Sequence, residues 1–265
     1  LDDAPNRTDF HGDFLELLSS SGYAPRFGAT GEAAKITPTE STTVLAVRYA
    51  DGVLIAGDRR ATAGTSILFD RADKVLEIDE HSAMAISGSP AIAYEMARVL
   101  EYALRYYRRS QLQELSLEGK LRTLSRLIRD NLAMALQGIG AVIPIFAAYD
   151  TVSNEGRIYM YDALGAQFEV AEFATTGSGS IWIRGALYYQ NRWMKPLREL
   201  SLTESVTVVL RMLDAAAEYD AATGGYNRRA NIYPVVKMIT HDGIRSLDDE
   251  YLKTVYAESV EVTHV

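Results

Sequence analysis

Residues 40–62 read ESTTVLAVRYADGVLIAGDRRAT. Val44–Val47 form one apolar run and Val53–Ala56 a second, with Asp51-Gly52 between them. Asp-Gly between apolar runs is a strong hairpin signal, so the stretch predicts strand, turn, strand. Two threonines, Thr42 and Thr43, head the first strand. Threonine suits a strand, which is one reason for their presence. The other reason is chemical. If the bond before Thr42 is cut, Thr42 becomes a chain terminus. Its α-amine, with a pKa of about 7.7–8.0, then sits beside its own hydroxyl. Nucleophile and base come together on one residue.

The same alternation of strand and helix patterns continues downstream. KVLEID (74–79) and SAMAIS (82–87) predict a second hairpin. Helical periodicity follows at 90–109, where Ile92, Met96, Val99 and Leu100 share a face. It recurs at 116–137, where Leu121, Leu124, Leu127, Ile128 and Leu132 do the same. Strands are predicted at 141–150, 157–163 and 167–175, helices at 179–193 and 203–219, and closing strands at 233–240 and 243–247. Strands, two helices, strands, two helices, strands: these segregated blocks predict an α+β domain, two sheets with helices on the outer faces. Residues 1–41 differ. They are rich in Ser, Gly and Ala, with a short amphipathic piece at 13–18, and read as a leader ahead of a domain at 42–265.

Composition excludes several functions. The net charge is -8, a poor match for nucleic-acid backbones. RYYRR at 105–109 reads as the solvated face of a helix. There is no cysteine, so thiol nucleophiles, disulfides and thiolate metal sites are out, and a reducing compartment such as the cytoplasm fits. The four histidines are scattered without metal-ligand spacing, so neither a metal nor a cofactor is expected. Residues 131–149 carry no charge, yet Asn131, Gln137, two glycines and Pro144 interrupt them. A spanning helix needs about 20 apolar residues, so this stretch reads as helix end, turn and buried strand, and no membrane association is expected.

With no cysteine, histidine cluster or metal, a hydrolytic reading needs another source of charge near Thr42. Asp58 ends the second predicted strand and Lys74 opens the next pair. A lysine there lowers the pKa of a neighbouring hydroxyl or amine. SGS at 87–89 supplies a glycine, Gly88, whose N–H suits an oxyanion. Taken singly, Lys74 also reads as a surface lysine, Asp58 as a turn residue, Ser178 as a helix cap and Asp220 as a helix end.

TTVLAV, GVLIAGDRRAT, DKV, ISGSP, TTGSGS and DAATGG, taken together, resemble the β subunits of the 20S proteasome core particle, and the actinobacterial type most of all. The resemblance spans roughly residues 42–245. It implies the Ntn-hydrolase fold, a four-layer αββα sandwich of two antiparallel sheets between helix layers. It implies an N-terminal threonine endopeptidase acting on unfolded polypeptides, freed by self-cleavage between Ser41 and Thr42. Thr42 is then the nucleophile and Thr43 a packed strand residue. Asp58 and Lys74 form the supporting pair. Ser178, Asp220 and Thr223 bond near the Thr42 amine and shuttle its proton, and Gly88 is the oxyanion donor. Thr62 pairs its backbone with the substrate. By position, Ala61, Ala72, Ile86, Pro90 and Tyr94 form an uncharged pocket that favours apolar residues before the cut. The implied partners are other β subunits and α subunits, in heptameric rings stacked α, β, β, α, and a ring ATPase that feeds them.

Two positions depart from the family pattern. Ser41 stands where glycine is usual, which restricts the bend needed for self-cleavage. Thr223 replaces a serine and keeps the hydroxyl. The alternatives are an inactive structural β-type subunit that keeps its leader, with Ser41 as its sequence support, and another Ntn-hydrolase. The segments DRRAT and TGG argue against the latter.

Overall fold

The computed structural model describes residues 42–63, 66–137, 140–227 and 230–260. Residues 1–41, with Ser41 and the leader boundary, lie outside the described residues.

Two antiparallel five-stranded sheets stack face to face. The first has the order β10-β1-β2-β11-β12, from Phe173–Gly177, Thr43–Tyr49, Gly52–Gly57, Val235–Thr240 and Gly243–Ser246. The second runs β5-β6-β7-β8-β9, from Val75–Asp79, Ser82–Ala85, Ile145–Asp150, Glu155–Tyr161 and Gln167–Val170. The hairpin expected at Asp51-Gly52 is β1–β2, with Tyr49 opposite Gly52.

Alternation along the strands builds the layers. Val44, Ala46, Val53 and Ile55 meet Ala83, Ala85, Ile145, Ala147 and Ile158 of the other sheet. Many of these inner residues are alanines, which lets the sheets approach closely. Leu45, Val47, Leu54 and Ala56 face outward, against Ile183, Leu187, Val209 and Leu213. Those four come from α4 (Ser180–Trp193) and α5 (Leu202–Tyr219). Met84, Phe146, Tyr159 and Tyr161 face the other way, against Met96, Leu100, Leu124 and Ile128. Those belong to α1 (Pro90–Gln111) and α2 (Leu117–Asp130). The result is helix, sheet, sheet, helix: the αββα sandwich. No described helix is long and apolar enough to cross a membrane.

Local signals set the helix ends. Pro90 opens α1, where its missing N–H costs nothing. Ser201 and Glu204 form a reciprocal capping box at the start of α5.

Several expected elements differ. The single strand at 167–175 is two strands, β9 and β10, and they belong to different sheets. The chain crosses between layers at 171–172, so each half keeps its strand pattern while the partner changes. The helix expected at 116–137 breaks at Asn131, whose side-chain amide donates to Gly140 O at 2.6 Å, and resumes as α3 (Leu132–Leu136). Two regions left unassigned from sequence are ordered elements. Ala61–Ala63 and Ser66–Phe69 pair as β3 and β4, and Asp249–Val255 forms α6 behind an Asp248 cap.

The layering makes a stability prediction. Leu54 is fully buried under α5, whereas Leu68 on β4 is 63% exposed. Leu54→Ala is expected to lower the unfolding free energy by about 2–5 kcal/mol, and Leu68→Ala by less than about 0.5 kcal/mol. Urea titration of the two variants checks this; equal losses would contradict the assigned layers.

Candidate active site

Asp58 follows β2 and is fully buried. An isolated carboxylate there would be very costly, so its partners matter. Oδ1 accepts from Thr43 N at 2.9 Å and from Lys74 Nζ at 2.6 Å. Oδ2 accepts from Arg60 N at 2.9 Å and Gly224 N at 2.9 Å. Lys74 leads into β5 and is itself only 4% exposed, so the surface-lysine alternative is excluded. Its ammonium also donates to Arg60 O at 2.5 Å. Burial pushes the Lys74 pKa below the usual lysine value, and Asp58 opposes that fall. The Arg60 guanidinium adds a tie across the site, donating to Ala221 O at 2.9 Å.

A second polar group lies at the ends of β10 and α5. Asp220 caps the C-terminus of α5. Its Oδ2 accepts from Ser178 Oγ and from Thr223 Oγ1, each at 2.6 Å. Its Oδ1 accepts from Ala222 N at 3.1 Å, closing the turn that carries Thr223. Ser178 Oγ also lies 3.4 Å from the Thr42 carbonyl oxygen. Ser178 precedes α4, but its hydroxyl is turned to Asp220. Thr43, read as a packed strand residue, is fully buried in β1 as expected. Its hydroxyl nonetheless joins this group, 2.5 Å from Thr223 Oγ1.

Two glycines permit close approaches. Gly177 has φ +95°, and a Cβ there would overlap the Thr42 carbonyl oxygen. Gly88 has φ +96° and bridges to Val142. Its neighbours hold it on both sides. Ser89 N donates to Ala141 O at 2.9 Å, and Ile143 N donates to Ser87 O at 3.1 Å. The Ser87 hydroxyl donates to Ile143 O at 2.8 Å and lies 2.9 Å from Thr176 Oγ1.

A cavity of about 300 Å³ opens beside Thr42. Ala61, Ala72, Ile86, Pro90 and Tyr94, all five of the pocket residues expected from sequence, line it together with Gly88 and Lys74. The expectation of an uncharged pocket needs amending, because Arg71 and Asp73 line it as well as Lys74, and Phe69 adds a further apolar face. Thr62 is buried on β3, opposite Ile67 of β4, and is not among the lining residues.

Sequence reasoning missed the hydroxyl of Thr43, the Arg60 tie, the Ser87–Thr176 contact and Phe69. The residue types were visible, but their directions depend on how the two sheets stack.

Both sheet ends, a hydroxyl-bearing residue at the head of the first strand and a buried lysine–carboxylate pair define an Ntn-hydrolase type of sandwich. The family described as Proteasome subunit matches residues 39–231. Proteasome subunit beta 2 of Thermomonospora curvata is 44% identical over 209 residues, covering 79% of this chain and 72% of the relative. Proteasome subunit beta of Streptomyces griseus is 43% identical over 245 residues, 90% of this chain and 83% of the relative. Proteasome subunit beta of Jonesia denitrificans is 40% identical over 208 residues, 78% and 67% respectively. The chain belongs to the proteasome subunit family. The β subunits of that family are in general threonine endopeptidases and form core-particle rings with α subunits.

Gly177→Ala is expected to displace the Thr42 carbonyl. With a positive φ and a Cβ driven onto backbone, the substitution should lower the unfolding free energy by about 1–3 kcal/mol, read by urea titration. A loss below about 0.5 kcal/mol would contradict the packing of Gly177 on Thr42.

Proposed function

We propose that this chain is an active threonine endopeptidase with Thr42 as its nucleophile, cleaving unfolded polypeptides inside stacked rings. The observation that carries this reading is the convergence on Thr42. The Asp58–Lys74 pair, the Ser178–Asp220–Thr223 group, Gly88 and a cavity all meet at the head of β1.

The chemistry runs in two stages. In the uncleaved chain the Thr42 nitrogen is an amide and accepts no proton. Lys74, in its neutral form, is the base for this stage: burial lowers its proton affinity, so a neutral amine is reached at lower pH than for an ordinary lysine. Thr42 Oγ1 loses its proton and attacks the Ser41 carbonyl carbon. The C–N bond between Ser41 and Thr42 then breaks as the nitrogen takes up that proton, which frees the Thr42 α-amine and leaves the preceding segment as an ester on Oγ1; water hydrolyses the ester, releasing the Ser41 carboxylate and restoring the Thr42 hydroxyl. Thereafter that amine takes the hydroxyl proton and passes it to the leaving nitrogen of a substrate. Ser178, Asp220 and Thr223 hold and relay that proton, and the Gly88 N–H receives the developing oxyanion. Thr62 on β3 offers its backbone to an extended peptide. The cavity accepts the side chain before the cut; Ala61, Ala72, Ile86, Pro90 and Tyr94 favour an apolar one, with Arg71 and Asp73 also present.

Residues 1–41 are the leader removed in this step, leaving 42–265 as the mature domain. The working particle pairs heptameric β rings with α rings, receives substrate from a ring ATPase, and acts in the cytoplasm. No metal or other cofactor enters these steps. Ser41 in place of glycine supports a second reading, a structural subunit that keeps its leader. Assembled rings whose subunits still carry the residues before Thr42, with no peptidase activity, would favour that reading.

Terminal sequencing of assembled material is expected to begin at Thr42, and Thr42→Ala to assemble yet cleave no peptide. Turnover by Thr42→Ala would refute the assignment.

A pH dependence follows from Lys74. Its folded pKa lies below 10.5. Between the two values the unfolded chain binds more protons, so the destabilisation caused by burying the ammonium is relieved as pH rises through that window. The neutral fraction grows in the same direction. Cleavage of the 41–42 bond should therefore accelerate with pH and level off at the folded pKa. Lys74→Arg, which cannot deprotonate, should not process. Processing at an unchanged rate in Lys74→Arg would exclude Lys74 as the base.

A further inference from the structure

Thr43 sits between the two polar groups and touches both. Its main-chain N–H donates to Asp58 Oδ1 at 2.9 Å, the oxygen that also holds Lys74. Its hydroxyl lies 2.5 Å from Thr223 Oγ1 and accepts from Gly179 N at 3.1 Å. The carboxylate fixes the proton order, because an ionised Asp220 only accepts. Thr223 spends its single proton on Asp220 Oδ2 at 2.6 Å. The short contact to Thr43 is then filled by the Thr43 proton, and the Thr43 oxygen is filled by the Gly179 N–H. The chain of donors runs Gly179, Thr43, Thr223, Asp220, and Ser178 donates to the same Asp220 Oδ2 that Thr223 does.

We propose that Thr43 is a positioning residue for the reaction assigned to Thr42: its hydroxyl sets the orientation of Thr223, and through it the acceptor that Asp220 presents to Ser178. This rests on the functional reading above. Thr43 touches no reacting atom in this role. It acts through Thr223, while its backbone keeps the same residue pinned to the Asp58–Lys74 pair. Both halves of the site are thereby referred to one buried residue adjacent to the nucleophile. Full burial of Thr43 keeps water from supplying the missing donor.

The test is a set of isosteric variants in the assembled particle, read by steady-state cleavage of a short fluorogenic peptide. Thr43→Val keeps the branched shape and strand preference and removes only the hydroxyl. It leaves the Gly179 N–H and the Thr223 oxygen without their partner. We expect kcat to fall by about 10- to 100-fold with KM within about twofold. Thr43→Ser, which keeps the hydroxyl, should return kcat to within about threefold of the parent. Thr43→Ala read against Thr43→Ser gives the same comparison for a chain whose valine form does not assemble.

A role through Thr223 also makes the effects non-additive. Adding Thr43→Val to Thr223→Val should cost less than about twofold beyond Thr223→Val alone. Full activity in Thr43→Val, or equal damage from serine and valine, or additive losses in the double variant would each overturn the proposal. Its failure is separable from failure of the functional reading. Turnover by Thr42→Ala sinks the latter, whereas a dead Thr42→Ala beside a fully active Thr43→Val sinks only this one.

Discussion

The structure is organised around one buried carboxylate. Asp58 has no exposed surface and receives four hydrogen bonds, from Thr43 N, Lys74 Nζ, Arg60 N and Gly224 N. A charge withdrawn from water is tolerated only when paired and bonded on all sides. Those donors come from the head of β1, the residues after β2, the approach to β5 and the loop beyond α5. Satisfying one carboxylate therefore draws both sheets and the helix layer to a single point. Losing it would leave the buried Lys74 ammonium without its counter-charge, a change that typically costs about 3–5 kcal/mol.

The sandwich explains why the polar residues gather at one end. Between Val44 and Val47 and between Val53 and Ala56 both faces of β1 and β2 are taken by apolar packing, so the buried polar groups gather where the strands end. Ser178 sits at the end of β10, Thr223 just past α5, Gly88 past β6, and the rigid layers fix the distances among them. Preorganised donors of this kind act without rearranging during a reaction, which is where electrostatic catalysis draws its strength. The same rigidity explains the two glycines at positive φ. Gly177 and Gly88 stand where two backbone segments come closer than a side chain permits.

Much of this was legible in the sequence. Asp51-Gly52 between two apolar runs predicted the hairpin, and the strand and helix blocks predicted the layers. All five proposed pocket residues line one cavity. The failures have physical causes. Residues 167–175 kept a strand pattern throughout, with no Gly or Pro to mark the crossing between sheets, so two strands read as one. The β3–β4 hairpin is short and its Ile67, Leu68 and Phe69 are exposed, so it lacks the half-buried alternation that signals a strand. The α6 cap was present as Asp248, whose side chain accepts from Tyr251 N at 2.8 Å, but the helix behind it is a short one. Lysine is rarely buried, so the place of Lys74 depended on its partner. The Thr43 hydroxyl was hidden because its use depends on Thr223, which lies 180 residues away in sequence.

The central claim is that Thr42 supplies both the attacking oxygen and, once it is the first residue, the proton acceptor. Selective acetylation of the new α-amine, at a pH where lysine side chains remain protonated, tests it most directly. The account predicts that peptide turnover is lost in proportion to the acetylated fraction measured by mass spectrometry. Undiminished turnover by fully acetylated particles would contradict it.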